Sequence, residues 1–388
     1  MQVLSCLIHR KVYNTVMLSP NKAKIDVFIP TLGGGGAERV MINLAKILKE
    51  HYKATLVVSK ADGPYLPEVQ ALDLELVNLG CRRPRETLVP FARYALSASP
   101  NLVISALEPT NIAAALVRLV KPYKLILTEH NTPSAFYPAQ KDLMIRNYPR
   151  LARIFYPLAN RIVAVSEGVR KDMVQVYRLP AERTLTIYNP VITPSFFYKL
   201  NKKVPSLFPK GNEPLIVAAG RLTSQKGFDI LLHALAQVIK VAPVRLAIFG
   251  EGPERAHLER LAKELGIASW VHMPGFTPYL PAYLRQANLF VLSSRWEGLP
   301  TVLIEALAAG LPVVSTDCIS GPREILEGGK WGKLVPVDDS EALACAIVEQ
   351  LRSPFIPPPE SWARFTEEAV ANQWLLLIEE LLSNRRTN

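Results

Sequence analysis

Apolar residues first fall into a regular pattern at 24–30 (KIDVFIP), where they run almost unbroken. A glycine loop at 31–36 follows, then a stretch near 37–50 whose Val40, Leu44, Ile47 and Leu48 recur at helical spacing. Similar short apolar runs lie at 54–59, 102–105, 124–128 and 161–165, with helix-like segments between them. Nearly continuous apolar strands alternating with helices predict a parallel sheet covered on both faces. The stretch 189–214 is broken by five prolines and reads as a linker. A second alternation begins at 215–220 and continues through 245–249, 271–274, 289–293 and 312–315. Pro-rich 353–359 ends it, and one amphipathic helix, about 366–382, closes the chain. The plan is two α/β units, a linker and a C-terminal helix. In open parallel sheets ligands sit outside the carboxyl ends of the strands, so the loops there are the places to look for chemistry.

Composition adds one asymmetry to this plan. The net charge of +11 is carried wholly by residues 1–200, which are +12, whereas 201–388 are −1. A one-sided basic surface points to an anionic partner: a membrane face, a phosphorylated substrate or nucleic acid. Four cysteines (Cys6, Cys81, Cys318, Cys345) show no paired spacing, which predicts reduced thiols in a cytosolic protein rather than disulfides or a zinc site. No stretch reaches the roughly 20 apolar residues that span a bilayer. Residues 1–22 read as an extension, with Met17 a second candidate start; Val3-Leu4-Ser5-Cys6 resembles a lipoprotein cleavage site but lacks the apolar segment before it.

Candidate chemistry lies at strand ends. Between Pro300, suited to a first helical position, and Gly310, a C-terminal stop, the chain is apolar all round except for Glu305. A lone carboxylate there either meets an Arg or Lys across a core interface or accepts hydrogen bonds from hydroxyls entering a cleft. Glu297 precedes the same helix start, where Gly298, Leu299 and Thr301 offer unpaired N–H groups and a positive dipole end. An anion site flanked by two carboxylates suits a diphosphate between two polyhydroxylated rings. Arg221 ends an apolar strand and Lys226 precedes the next helix, a fork and a mobile ammonium for the same diphosphate, or else two solvated loop cations. Gly33–Gly36 would let backbone approach phosphate at a helix start, but it lacks the third glycine of the dinucleotide fingerprint, and a plain flexible turn is the alternative. His130 ends the 124–128 strand, either facing the cleft or serving as a capped structural histidine. Within 140–161, Lys141, Arg146, Arg150, Arg153 and Arg161 interleave with Leu143, Tyr148, Phe155 and Tyr156. This is a helix docked on anionic lipid or a solvated basic face, with Arg82, Arg83 and Arg85 extending it.

These residues carry a resemblance. GGGGAER at 33–39, GRLTSQKG at 220–227, FGEGPER at 249–255 and, most specifically, Glu297-x7-Glu305 are similar to the motifs of the retaining glycosyltransferases of family 4 (group 1). The resemblance covers about 24–382. It implies the α/β GT-B fold: two Rossmann-like domains facing a cleft, with the last helix crossing back. The N-terminal, acceptor-side domain would be 23–195 plus 366–388, and the donor-binding domain 196–365. By the same resemblance Gly35 or Gly36 would meet donor phosphates, Arg221 and Lys226 would neutralise the departing diphosphate, and Glu297 would hold sugar hydroxyls. Glu305 would hold the ribose, Gly275 and Phe276 would lie near the base, and His130 would contact the transferred sugar. No Asp-x-Asp occurs, which agrees with a fold that needs no metal or other cofactor. The implied partners are a nucleotide-sugar donor, a lipid-diphosphate-linked saccharide and an anionic membrane, not nucleic acid. The implied location is the cytoplasmic face of the membrane. A nucleotide-sugar 2-epimerase and an inactive binding subunit on the same architecture stay open.

Overall fold

The computed structural model describes residues 23–83, 86–208 and 213–383. The expected extension 1–22 and Arg85 lie outside these residues, as do the C-terminal residues 384–388. The N-terminal sheet contains β1 (Lys24–Ile29), β2 (Lys53–Val58), β3 (Glu75–Asn78), β4 (Leu102–Ala106), β5 (Lys124–Glu129), β6 (Arg161–Ala164) and β7 (Thr184–Thr186). All are parallel, in the order β3-β2-β1-β4-β5-β6-β7. The C-terminal sheet contains β8 (Leu215–Ala219), β9 (Arg245–Phe249), β10 (Val271–Gly275), β11 (Leu289–Leu292), β12 (Val313–Thr316) and β13 (Lys333–Val335). Its order is β10-β9-β8-β11-β12-β13, again parallel.

Each sheet reverses its winding beside its first strand, between β1 and β4 and between β8 and β11. These are the positions where helices on opposite faces diverge and leave a crevice above the strand ends. The glycine loop leaves β1 there, and Arg221 and Glu297 lie beyond β8 and β11.

The helix Gly36–His51 buries Val40, Leu44, Ile47 and Leu48, the positions its spacing predicts. The C-terminal helix Glu367–Ser383 buries Val370, Trp374, Leu377, Ile378 and Leu381, and these join the cluster of β1, β2 and β4 side chains. It therefore packs on the first domain. Two chain crossings between domains run side by side: Val191 and Ile192 donate to the Phe365 carbonyl at 3.0 and 3.1 Å, and Glu367 donates to Ile192 at 2.9 Å.

The segment read as a linker is not wholly irregular. Within it Pro194–Leu200 is a helix capped by Thr193 and anchored by buried Phe196; Pro194 occupies the first turn, where a missing N–H costs nothing. It packs on the helix Leu280–Leu284, so the second domain begins near 193.

The expected basic helix of 140–161 is two short helices, Leu143–Arg146 and Tyr148–Phe155, with Pro149 in the first turn of the second. Tyr148 and Tyr156 are buried rather than facing solvent, and Arg161 pairs with Glu380 of the C-terminal helix at 2.5 Å.

Candidate active site

The loops after β8 and β11 are pinned together. Arg295 forks onto Asp229 at 3.0 and 2.7 Å, reaches Asp338 at 2.7 Å and donates to the Ser224 carbonyl at 2.6 Å. The Arg295 N–H meets the Gln225 carbonyl, and the Gln225 amide meets the Trp296 carbonyl at 3.0 Å. Lys226 and Glu297 are thereby held face to face. Lys226 Nζ donates to Glu297 Oε1 at 2.6 Å, and Ser294 Oγ donates to the same oxygen at 2.6 Å. Glu297 is buried, while its Oε2 takes no hydrogen bond from the described residues. The Lys226 stem lies over Gly220, where a Cβ would come within 3.1 Å of it.

Beyond Glu297 the helix Thr301–Ala308 starts after Pro300, and the N–H groups of Gly298, Leu299 and Thr301 find no acceptor among the described residues. Glu305, half-buried, forms no hydrogen bond or ion pair there either. Burial pushes its carboxyl up to about 7, offset in part by Lys199 and Arg39. The first comes from the Pro194–Leu200 helix and the second from the glycine-loop helix, so Glu305 sits between the domains. The direct Arg or Lys pairing that the sequence left open is not made.

The glycine loop is occupied in a way the sequence did not foretell. Gly35 caps the helix in an extended conformation, and the Glu38 carboxylate turns back over it: a Cβ at Gly35 would lie 2.4 Å from Glu38 Oε2. Burial raises the Glu38 carboxyl, while its own backbone N–H and Arg221 across the cleft act to lower it. Gly36 is open, with nothing within 4 Å of a would-be Cβ. Arg221 itself is exposed and makes no ion pair among the described residues.

His130 follows β5. Its Nε2 lies 3.0 Å from Thr128 Oγ1, and burial lowers the imidazole to about 4. On the opposite face of the strand, Glu129 Oε1 accepts the N–H groups of His130 and Asn131 at 3.1 and 3.3 Å. Tyr177 and Tyr156 hydroxyls bond its other oxygen at 3.2 and 3.4 Å. Burial first, and then the neighbouring Glu108, raise the Glu129 carboxyl. The two domains touch here: a Cβ at Gly298 would lie 2.0 Å from the His130 carbonyl oxygen, so only glycine fits. Thr132 Oγ1 donates to the Glu297 carbonyl at 2.5 Å and Ser166 Oγ to the Gly298 carbonyl at 2.8 Å.

Gly275 closes β10, and Phe276 beyond it is exposed on the rim. The structure thus brings Arg221, Lys226, Glu297, Gly298, Glu305, His130 and the glycine loop to the crevice between the sheets. Sequence reading missed Glu38, Arg295, Thr128 and Glu129; the polar Thr128 ending an apolar run two residues before His130 was the available signal.

Comparison with known proteins identifies the family of the chain. Residues 34–193 match "Glycosyltransferase Family 4", and residues 201–370 match "Glycosyl transferases group 1". The chain belongs to the group 1 glycosyltransferases. This glycosyltransferase is 29% identical over 334 residues to the N-acetylgalactosamine-N,N'-diacetylbacillosaminyl-diphospho-undecaprenol 4-alpha-N-acetylgalactosaminyltransferase of Campylobacter jejuni, covering 82% of this chain and 88% of that one. A second Campylobacter jejuni relative, a GalNAc-alpha-(1->4)-GalNAc-alpha-(1->3)-diNAcBac-PP-undecaprenol alpha-1,4-N-acetyl-D-galactosaminyltransferase, is 28% identical over 92% of this chain and 99% of its own. HepE of Anabaena, solved in complex with UDP and glucose, shares the GT-B fold with a TM-score of 0.78 at 22% identity, over 92% of this chain and 100% of that one. Among the described residues of the glycosyltransferase no helix is long and apolar enough to cross a membrane, and no group of three or more His, Cys, Asp or Glu could hold a metal ion.

Proposed function

We propose that the protein moves a hexose or N-acetylhexosamine, with retention, from a UDP-sugar to a lipid-diphosphate-linked saccharide in bacterial surface-glycan synthesis. The observation that carries this reading is the meeting of Arg221, the Lys226–Glu297 pair and the free N–H row at Gly298–Thr301 at one switch point, opposite the glycine loop. Cations and oriented N–H groups stabilise charge that grows on a departing diphosphate, and they act more strongly on the transition state than on the bound donor. Lys226 has three donors, so it can keep Glu297 and still reach a phosphate oxygen. On this reading Glu297 Oε2 accepts a donor-sugar hydroxyl and Glu305 the ribose hydroxyls, while Gly36 meets the phosphates. Gly275 and Phe276 flank the base, and His130 faces the transferred sugar. The diphosphate is neutralised by side chains and needs no metal. Retention without a covalent glycosyl-enzyme requires the acceptor to attack from the face the leaving group departs, and that is the course proposed here.

The lipid-linked acceptor is supported by the undecaprenol-linked substrates in both relatives' names, and by the surface of the first domain. Leu143, Met144, Leu151 and Ile154 are exposed there beside exposed Arg146, Arg150 and Arg153. Apolar side chains among cations suit an anionic membrane face reached from the cytoplasmic side.

The test has two steps. Purified protein is screened against UDP- and GDP-sugars for a rise in Tm. The stabilising donor is then incubated with an undecaprenyl-diphosphate saccharide in the presence of chelator, and the product anomer is read by NMR. An α-linked product from an α-linked donor is expected. Inverted product, donor isomerised without acceptor, or turnover abolished by chelator would each overturn the corresponding part.

A further inference from the structure

We propose that Thr128 is a positioning residue that fixes His130 in a single neutral tautomer, proton on Nε2, leaving the Nδ1 lone pair to accept a hydrogen bond from the donor sugar. The part about the sugar rests on the function proposed above; the tautomer does not.

Thr128 and Glu129 project to opposite faces of β5, and the His130 ring, just past the end of the strand, lies on the Thr128 side. Thr128 is buried, and its Oγ1 lies 3.0 Å from His130 Nε2 and 3.1 Å from the Ser105 carbonyl of the neighbouring strand β4. Met41 Sδ, at 3.9 Å, is a weaker acceptor on the same side. A hydroxyl owns one proton. If that proton goes to the Ser105 carbonyl, Oγ1 is left with lone pairs, and His130 Nε2 must bring its own proton to make the second bond. Both contacts are then hydrogen bonds. In the other tautomer the hydroxyl proton goes to Nε2, the Ser105 contact is lost, and Nδ1–H is left pointing away from Thr128. Nδ1 has no acceptor among the described residues. The arrangement that satisfies every short contact is therefore the Nε2–H imidazole.

The other face supports the same outcome. Glu129 holds the His130 and Asn131 amides, so the backbone carrying the ring is fixed from one side while Thr128 fixes the ring from the other. Burial, which lowers the imidazole, keeps it an acceptor rather than an acid at neutral pH. His130 then selects a hydroxyl by offering it a lone pair and does not donate a proton to the leaving group.

The experiment uses the full chain labelled with 15N in its imidazoles. His130 is one of six histidines, and its signals are assigned by their loss in His130→Asn. From about pH 6 to pH 8 a neutral ring is expected, with pyrrole-type Nε2 and pyridine-type Nδ1. Thr128→Ser should keep that pattern and the turnover. Thr128→Val, close in shape, should move both nitrogen shifts toward a tautomer mixture. It should also lower kcat by about tenfold while the Kd for UDP changes less than about twofold. An Nδ1–H ring in the parent protein, an imidazolium at neutral pH, or an unmoved tautomer in Thr128→Val with intact melting would each overturn the proposal. Should no donor be turned over while the tautomer is as stated, the transferase details fail and the role of Thr128 stands.

Discussion

At the scale of single residues the site is built on charges held away from their ordinary solvation. Glu297 and Lys226 bury one another, so removing one leaves the other uncompensated, which is why the isosteric change is the informative one. Glu297→Gln should reduce kcat by roughly 10²- to 10³-fold, with UDP still bound in calorimetry; unaltered turnover would remove Glu297 from the chemistry. A second buried acid does something different. Asp26 on β1 is fully buried beside the Tyr94 hydroxyl, and burial, eased partly by Lys24 and Tyr94, lifts its carboxyl to about 7. Between the ordinary carboxylate value and that point the folded protein holds a proton that the unfolded chain has lost. Stability therefore falls as pH rises from about 4 to about 7 and levels off above. Asp26→Asn should flatten this slope and raise Tm at pH 8, the ceiling being roughly 4 kcal/mol. A slope that survives in the variant would place its origin elsewhere. Glu297, Glu305, Arg221 and Lys226 were readable because each interrupts an apolar or strand-end pattern. Glu38 and Arg295 were not, because an acid in a first helical turn and an arginine in a polar loop are ordinary there, and their importance comes only from what folding brings against them.

At the scale of elements, legibility followed burial. The central strands β1, β4, β5, β8 and β11 are buried nearly throughout and were visible as apolar runs. Edge strands β3, β7 and β13 are only three or four residues long, with half their positions or more partly exposed, so no run announces them. The basic segment misled in a specific way. Tyr148 and Tyr156 looked like interface aromatics, yet Tyr148 stacks on Tyr137 and Tyr156 meets Tyr148 and Tyr177 edge-on, around Glu129 and Glu108 inside the domain. The lipid-facing candidates are instead Leu143, Met144, Leu151 and Ile154, on helices too short to be stable alone, which Tyr148 and Ala152 anchor from beneath. Replacing Arg146, Arg150 and Arg153 with Gln should release the protein from anionic vesicles, with binding that falls as salt rises, each charge contributing about 1 kcal/mol. Leu151→Ser with Ile154→Ser should weaken binding at all salt concentrations. Equal binding by both variants would make the face a solvated one.

At the scale of the molecule, two domains joined by paired crossings can hinge, so what holds the cleft shut decides when water is excluded. The contacts described above at Gly298 are flanked by one that neither domain makes alone. The Glu324 carboxylate, from the second domain, accepts the N–H groups of Glu167 and Gly168 at 2.9 and 3.3 Å, at the start of the helix Glu167–Tyr177 in the first domain. Tyr188 adds its hydroxyl at 2.7 Å. A carboxylate at a helix N-terminus is favourable by about 0.3–2 kcal/mol, and here that energy exists only while the domains are together. Glu324→Ala should shift the population toward an open form by a factor of about 2 to 30, visible as a larger radius of gyration in solution scattering. Because closure protects the donor from water, the same variant should raise the ratio of donor hydrolysis to transfer. Gly298→Ala tests the point from the other direction. Its Cβ cannot coexist with the His130 carbonyl at 2.0 Å, so the gap must widen there and turnover should fall further than in Glu324→Ala. A scattering profile and hydrolysis ratio unchanged in both variants would mean that closure is governed by the crossings at Ile192 and Phe365 and not by this latch.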